Sequence, residues 1–203
     1  MQALINAGGK GTRMGACGTE KPMQDICGKP SIQRVVDALS GSHYVDRILV
    51  SVSDNTLNTE EYLKSVGIDT VRTSGKSFMD DLHEAFGVMS GNCVLTCPSD
   101  IPLLSTEKLD NFIHGFGKMH RESYIALVDC AVLNDLGITP SYQMEFGNSN
   151  WAVSGISIMD RLKTIRGDYL LNSYFYTDCR EFAVNVNTQR ELGIARKLFE
   201  EKK

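Results

Sequence analysis

The feature that most restricts what this chain can fold into lies at its start. A short apolar run over residues 2–6 (QALIN) stops at the string AGGKGTRMG, residues 7–15. A strand buried on both faces reads as such a run, and glycines at its end let the backbone turn tightly. Ala7, Gly8, Gly9, Gly11 and Gly15 surround two cations, Lys10 and Arg13, and the hydroxyl of Thr12. This mixture suits backbone N–H groups turned toward a polyphosphate whose charge the cations neutralise. A plain turn also uses glycines, so the loop needs support from elsewhere in the chain. Two common phosphate fingerprints fail. A dinucleotide-binding GxGxxG starting at Gly9 needs glycine where Met14 stands, and a GxxxxGK[ST] loop ending at Gly75, Lys76 and Ser77 needs glycine where Thr70 stands.

Downstream, strand and helix patterns alternate. Ile32, Val35, Val36 and Leu39 recur at helical spacing after Pro30, and Gly41 closes the run. A strand is expected over 47–52, a helix over 59–65, a strand over 69–72 and a turn over 73–76. Ser77 with Asp80 three residues on resembles a capping box, opening a helix with the apolar stripe Phe78, Leu82, Ala85, Phe86 and Met89. A buried strand over 93–97 ends at Pro98, Ser99 and Asp100, a helix starts near Ser105, and 124–133 predicts one long strand. From about 140 to 186 the helical rhythm fades, which predicts strands and loops, before Thr188 and Glu191 cap a last helix. The alternation implies an α/β fold with a mainly parallel sheet flanked by helices. Ligands of such sheets sit beyond the carboxyl ends of the strands, which singles out the loops 7–15, 73–77 and 98–103.

Composition narrows the class. The 203 residues are 42% hydrophobic and 23% charged, and no linker, repeat or low-complexity tract divides them, so a single domain over 1–203 is expected. A net charge of −4 offers no general basic field for nucleic acid. Positive charge is local instead: Lys10, Arg13, Lys21 and Lys29 fall within twenty residues. No basic leader precedes a long apolar run and no stretch approaches the ~20 apolar residues of a membrane span, so a cytoplasmic protein without membrane partners is expected. Cys17, Cys27, Cys93, Cys97, Cys130 and Cys179 show no metal-binding spacing and read as reduced, small apolar residues. None of His43, His83, His114 and His120 falls in the three loops.

After the glycine loop come Glu20-Lys21-Pro22 and Gly28-Lys29-Pro30. GGKGTRMG, EKP and GKP together resemble the MobA-like nucleotidyltransferase superfamily. The resemblance implies a Rossmann-like domain, nucleotide binding by Ala7, Gly8, Gly9, Lys10, Gly11, Thr12 and Arg13, and Lys21 reaching the phosphates. Asp100 in PSDIPL resembles the family's aspartate that helps hold Mg²⁺, and Asn185 in NVNT resembles its late polar residue near metal or phosphates. Asp100 could instead cap its loop, although a carboxylate at a strand end beside phosphates favours the metal role, whereas for the NVNT string the helix cap at Thr188 is the plainer reading. Glu20 reads as a solvated or paired charge.

The string TSGKSFMDDL lacks the GPLAG-type element of molybdenum-cofactor guanylyltransferases and is similar instead to archaeal-type adenosylcobinamide-phosphate guanylyltransferases. These make adenosylcobinamide-GDP and pyrophosphate from GTP in cobamide synthesis. By that likeness Ser74, Gly75 and Lys76 contact the base or ribose, and Asp80 or Asp81 could accept from guanine, although solvation of a helix start is the plainer explanation for those two. The acceptor would be a phosphate monoester, largely dianionic near neutral pH, so attack on the α-phosphorus needs no general base. Alignment and charge neutralisation remain, and the glycine loop, Lys10, Arg13, Lys21 and Mg²⁺ could supply them. Tyr142, Phe146, Trp151, Tyr174, Phe175 and Tyr176 concentrate in the second half, as an acceptor surface, as core or as a homodimer face. Gly155 could let an acceptor approach the backbone. Other phosphate acceptors, among them molybdopterin and sugar phosphates, and a nucleotide sensor without turnover stay open.

Overall fold

The computed structural model describes residues 1–15, 18–118 and 121–201, so Cys17 and His120 lie outside the described residues. Strand β1 (Gln2–Asn6) runs through the centre of an eight-stranded sheet, with Ala3, Leu4 and Ile5 fully buried. Successive side chains of a strand point to opposite faces, and β1 serves both. Leu4 packs with Leu82 and Phe86 on one face, whereas Ala3 and Ile5 join the larger core on the other.

After β1 the chain makes a short hairpin, β2 (Asp25–Ile26) and β3 (Lys29–Pro30). Helix α1 (Ser31–Ser40) follows, with Ile32, Val35, Val36 and Leu39 inward as their spacing requires. Strand β4 (Arg47–Val52) pairs parallel with β1, helix α2 (Leu57–Ser65) crosses back, and β5 (Asp69–Arg72) forms one sheet edge. Helix α3 (Phe78–Gly87) then returns the chain to the other side of β1, where β6 (Cys93–Pro98) pairs parallel with it. The first crossovers therefore run one way from β1 and the next runs the other way. Such a reversal leaves a crevice at the carboxyl ends of the two strands.

Beyond β6 come α4 (Thr106–Phe116), β7 (Ser123–Asp129), α5 (Cys130–Asp135), β8 (Gln143–Phe146), β9 (Ser149–Asp160), α6 (Arg161–Arg166), β10 (Asn172–Thr177), α7 (Arg180–Ala183) and α8 (Gln189–Glu200). The strand order is β10-β7-β9-β6-β1-β4-β5, with β8 added to β9. Strands 5, 4, 1 and 6 are parallel, as are 7 and 10; β9 runs antiparallel to β6, β7 and β8 and joins the two halves. Phe112 of α4 stacks on Tyr124 at 5.0 Å and meets Phe175 and Phe182. Burying each such phenyl ring contributes about 2–3 kcal/mol.

Three expectations need correction. The long strand over 124–133 ends at Asp129, whose side chain accepts from the Ala131 N–H and starts α5; the apolar run continues because Leu133 is buried from a helix. Phe78 is 56% exposed and not part of the α3 stripe. The segment 140–186 holds two short helices, α6 and α7, besides its strands.

Candidate active site

The crevice is a cavity of about 500 Å³ walled by the glycine loop from Ala7 to Arg13, the turn 75–78 and the segment 98–100, with Lys21, Gly155 and Asn187 completing it. Its size is that of small-molecule sites. All three loops expected from the sequence contribute.

Met14, the residue that breaks the dinucleotide fingerprint, is buried and anchors one turn of 3-10 helix, Thr12–Met14. Gly11, at φ 61°, must be glycine twice over, because the conformation disfavours a side chain and a Cβ there would lie 3.1 Å from that of Lys21. The loop therefore packs on the stem of Lys21. Ser53 and Asn55, just past β4, donate to the Gly8 carbonyl at 2.7 and 3.2 Å. Lys10 and Thr12 line the cavity from the loop, and Lys10 and Lys76 carry no ion pair among the described residues. Arg13 donates to the Ser141 hydroxyl at 2.8 Å, so its guanidinium lies between the cavity and the loop before β8.

The turn after β5 is set by Asp81. Its Oδ1 accepts from the Gly75 N–H at 2.8 Å and the Ser74 hydroxyl at 3.0 Å. The expected Ser77 cap does not form; Asp81, one turn into α3, organises the approach instead. Gly75 and Lys76 line the cavity, whereas Ser74 stands behind the turn. Of the two aspartates only Asp81 reaches the cavity; Asp80 is exposed outside it.

At the centre of the mouth the Lys21 ammonium donates to Asp100 Oδ2 and, at 2.7 Å, to Asn187 Oδ1. The pair is well shielded, with side-chain exposures of 19% for Lys21 and 9% for Asp100. Asn185 does not line the cavity. Its Nδ2 donates to Asp100 Oδ1 and to the Ser154 carbonyl, both at 3.2 Å, so it orients the carboxylate while Asn187 faces the ligand space. Asn187 escapes a reading of the sequence because both asparagines belong to one NVNT string, and alternation along the chain alone does not say which faces inward. Its own N–H donates to Glu191 Oε2 at 2.7 Å, while Thr188 caps α8.

Two oxygen acceptors converging on one cation, with no histidine among the described residues of the cavity wall, suit a hard ion such as Mg²⁺ that fills its other positions with phosphate oxygens and water. No group of three or more His, Cys, Asp or Glu able to hold a metal occurs among the described residues, so a metal here would need a ligand to complete its shell. Burial, with the charge of Asp100 adding to it, pushes the Cys97 thiol well up, which removes a thiolate nucleophile from the cavity's edge. Asn6, at the end of β1, lines the cavity too, and its buried Oδ1 has no hydrogen-bond partner among the described residues.

Glu20 proves to cap a helix distant in the chain. Its carboxylate accepts from the Asn58 and Thr59 N–H groups at 2.8 and 2.7 Å and from the Thr59 hydroxyl at 2.6 Å, closing the N-terminus of α2. That contact fixes the backbone beside Lys21. Gly155, at φ 89°, would place a Cβ 3.1 Å from Pro98, so the close approach it permits is to Pro98 of β6. Of the aromatic residues, Phe175 is core, while Phe146, Trp151 and Tyr174 group around Tyr176 on β8 to β10.

The model of the MobA-like NTP transferase domain matches residues 3–134, which carry the glycine loop, Lys21, the 73–77 turn and Asp100. This chain belongs to that family. Within it, the chain is 40% identical over 121 residues to an adenosylcobinamide-phosphate guanylyltransferase of Methanocaldococcus jannaschii, over 57% of this chain and 60% of that relative's length. A 3-deoxy-manno-octulosonate cytidylyltransferase of Aliivibrio salmonicida is 32% identical over 41% of this chain and 34% of its own. Among solved structures, a CMP:2-keto-3-deoxy-manno-octonic acid synthetase complexed with CTP superposes with a TM-score of 0.77 at 15% identity, covering 100% of this chain and 99% of that one. HddC of Yersinia pseudotuberculosis, complexed with GMP-PN, gives 0.73 at 17% identity, covering 98% and 99%. These superpositions cover the fold through β8–β10 and α8 as well, beyond the residues that the family model matches. No helix among the described residues is long and apolar enough to cross a membrane.

Proposed function

We propose that this chain, acting as one domain over 1–203, transfers GMP from GTP to adenosylcobinamide phosphate and releases pyrophosphate. The observation that carries the reading is the meeting of Lys21, Asp100 and Asn187 at the mouth of the glycine-loop cavity. The 40% identity to the Methanocaldococcus guanylyltransferase supports the choice of substrates.

In this reading the backbone of Ala7 to Arg13 cradles the phosphates, with Lys10, Arg13 and Lys21 as their counter-charges. Gly75 and Lys76 meet the nucleoside. Asp81 holds Gly75 and Ser74 through Oδ1, and Oδ2 is left to accept from a guanine N–H. An oxygen of the acceptor's phosphate attacks the α-phosphorus, the bond from that phosphorus to the bridging oxygen breaks, and the β- and γ-phosphates leave together. A dianionic phosphate needs no base, in keeping with a cavity free of histidine among the described residues. Mg²⁺, held by Asp100 and Asn187 with Asn185 behind them, would neutralise charge on the triphosphate. The chain's part is alignment and electrostatic stabilisation.

Pyrophosphate release by the purified protein with Mg²⁺ tests this, crossing GTP, ATP, CTP and UTP against adenosylcobinamide phosphate, molybdopterin and sugar phosphates. Release confined to GTP with adenosylcobinamide phosphate is expected. Release with another pair moves the substrates within the family, and nucleotide binding without release under any acceptor replaces the enzyme with a sensor.

A further inference from the structure

The Lys21 ammonium sits on the same two oxygens to which the functional reading above assigns a divalent cation. It draws on Asp100 Oδ2 and Asn187 Oδ1, while Asn185 Nδ2 takes Asp100 Oδ1, so the acceptors that Asp100 and Asn187 present are already engaged. Among the described residues the other carboxylate on the cavity wall, Asp81, gives its Oδ1 to Gly75 and Ser74. A divalent cation entering beside the Lys21–Asp100 pair would meet the ammonium at close range, because Asp100 is already paired with it and the Asp81 and Glu191 carboxylates already accept from backbone N–H groups.

The backbone around Lys21 is held on both sides. Glu20 is fastened to the start of α2, and Pro22 is buried in the same turn of 3-10 helix, Lys21–Met23. Any exchange of partners is thus a rotation of the lysine stem, and the glycine loop packs on that stem at Gly11. Lysine is well fitted to such an exchange, because its charge is a compact point on a flexible chain, able to turn from a carboxylate to a phosphate.

We propose that Lys21 keeps the metal site closed in the free protein, and that a bound nucleotide opens it by drawing the ammonium onto its phosphates. The divalent cation then enters with the nucleotide or after it, never before. This rests on the nucleotide-binding reading above and adds the order of assembly. The same device gives Asp100 two opposed effects, competing for Lys21 when metal is absent and holding the metal once Lys21 has left.

Equilibrium binding separates these effects without reference to turnover. A fluorescent N-methylanthraniloyl GTP analogue is titrated in EDTA against the wild type, Asp100→Asn, Lys21→Met and the double variant, each checked for folding by circular dichroism. Releasing Lys21 from Asp100 should tighten metal-free binding by about five- to tenfold in Asp100→Asn, and the gain should vanish when Lys21 is Met, as coupled residues require. An equal gain in both backgrounds would mean that Asp100 merely repels phosphate, and no gain in either would mean that it does not hold Lys21; both overturn the proposal. Mn²⁺ titrated by electron paramagnetic resonance supplies the second arm. The wild type should take up Mn²⁺ only with nucleotide present; tight uptake by the free wild type overturns the closed site. If the wild type binds no nucleotide with or without metal, the functional reading falls and this one with it.

Discussion

Ser53 donates its hydroxyl proton to the Gly8 carbonyl at 2.7 Å, tying the glycine loop to the end of β4. The same hydroxyl lies 2.5 Å from where a Cβ on Gly75 would be, so the 73–77 turn closes over the tie. Two loops more than sixty residues apart are thereby set against each other by one serine.

Gly75→Ala should disturb both loops at once. At φ 62° the substitution is strained and collides with Ser53 and Asn55, for a cost of about 1–3 kcal/mol. A lowered melting temperature together with GTP affinity weakened tenfold or more is expected from thermal denaturation and a binding titration. Wild-type values for both would show that the turn does not hold the cradle.

Lys21→Ala should lower the rate of transfer by about 10²–10³-fold, the scale of losing one electrostatic contact to the transition state. Single-turnover kinetics at saturating GTP check it, and near wild-type turnover would remove Lys21 from the site.

The two asparagines should separate. Asn187→Ala is expected to raise the Mg²⁺ concentration for half-maximal turnover by about 10–100-fold, because it deletes an oxygen facing the cavity. Asn185→Ala should act through the orientation of Asp100 and cost stability as well, since Asp100 and the Ser154 carbonyl both lose a donor. Metal titrations with identical shifts and no difference in melting temperature would contradict this division.

Glu20→Gln should destabilise the protein by about 1 kcal/mol, because a charge at a helix N-terminus is lost along with acceptor strength. Urea unfolding measures it; an unchanged midpoint would show that the cap carries no weight.

Acid stability should pass through Glu60. Arg72 and then Lys64 hydrogen-bond its buried carboxylate and hold it down at about 2, against an ordinary 4.5. A lowered folded value means stability that is complete above pH 4.5 and lost as pH falls from there toward 2. Glu60→Gln should therefore melt lower at pH 7, lose less on acidification, and approach the wild type near pH 2. Parallel melting curves across that range would assign the acid limb to other groups.

Much of the site is legible in the sequence because its signals are local. The QALIN run, the glycines after it and the strand ending at Asp100 each declare themselves over a few residues, since strand burial, tight turns and strand termination depend on neighbours in the chain. Degenerate signals mislead. An apolar stretch serves strand or helix equally, so 124–133 reads as one strand although the Asp129 cap divides it. A hydroxyl before a helix reads as a cap, yet Asp81 does that work for the turn at Ser74 and Gly75.

Sequence alone was enough for the α/β order and the phosphate-suited loop, because periodicity and residue chemistry are carried along the chain, and the resemblance of the EKP and PSDIPL strings to a known family made Lys21 and Asp100 candidates. Tertiary structure decided that Lys21 sits on Asp100 and Asn187, that Asn185 stands behind, and that Glu20 closes a helix thirty-eight residues away. Those contacts join segments far apart in the chain, and their partners are chosen by strand order and crossover direction, which no local pattern encodes.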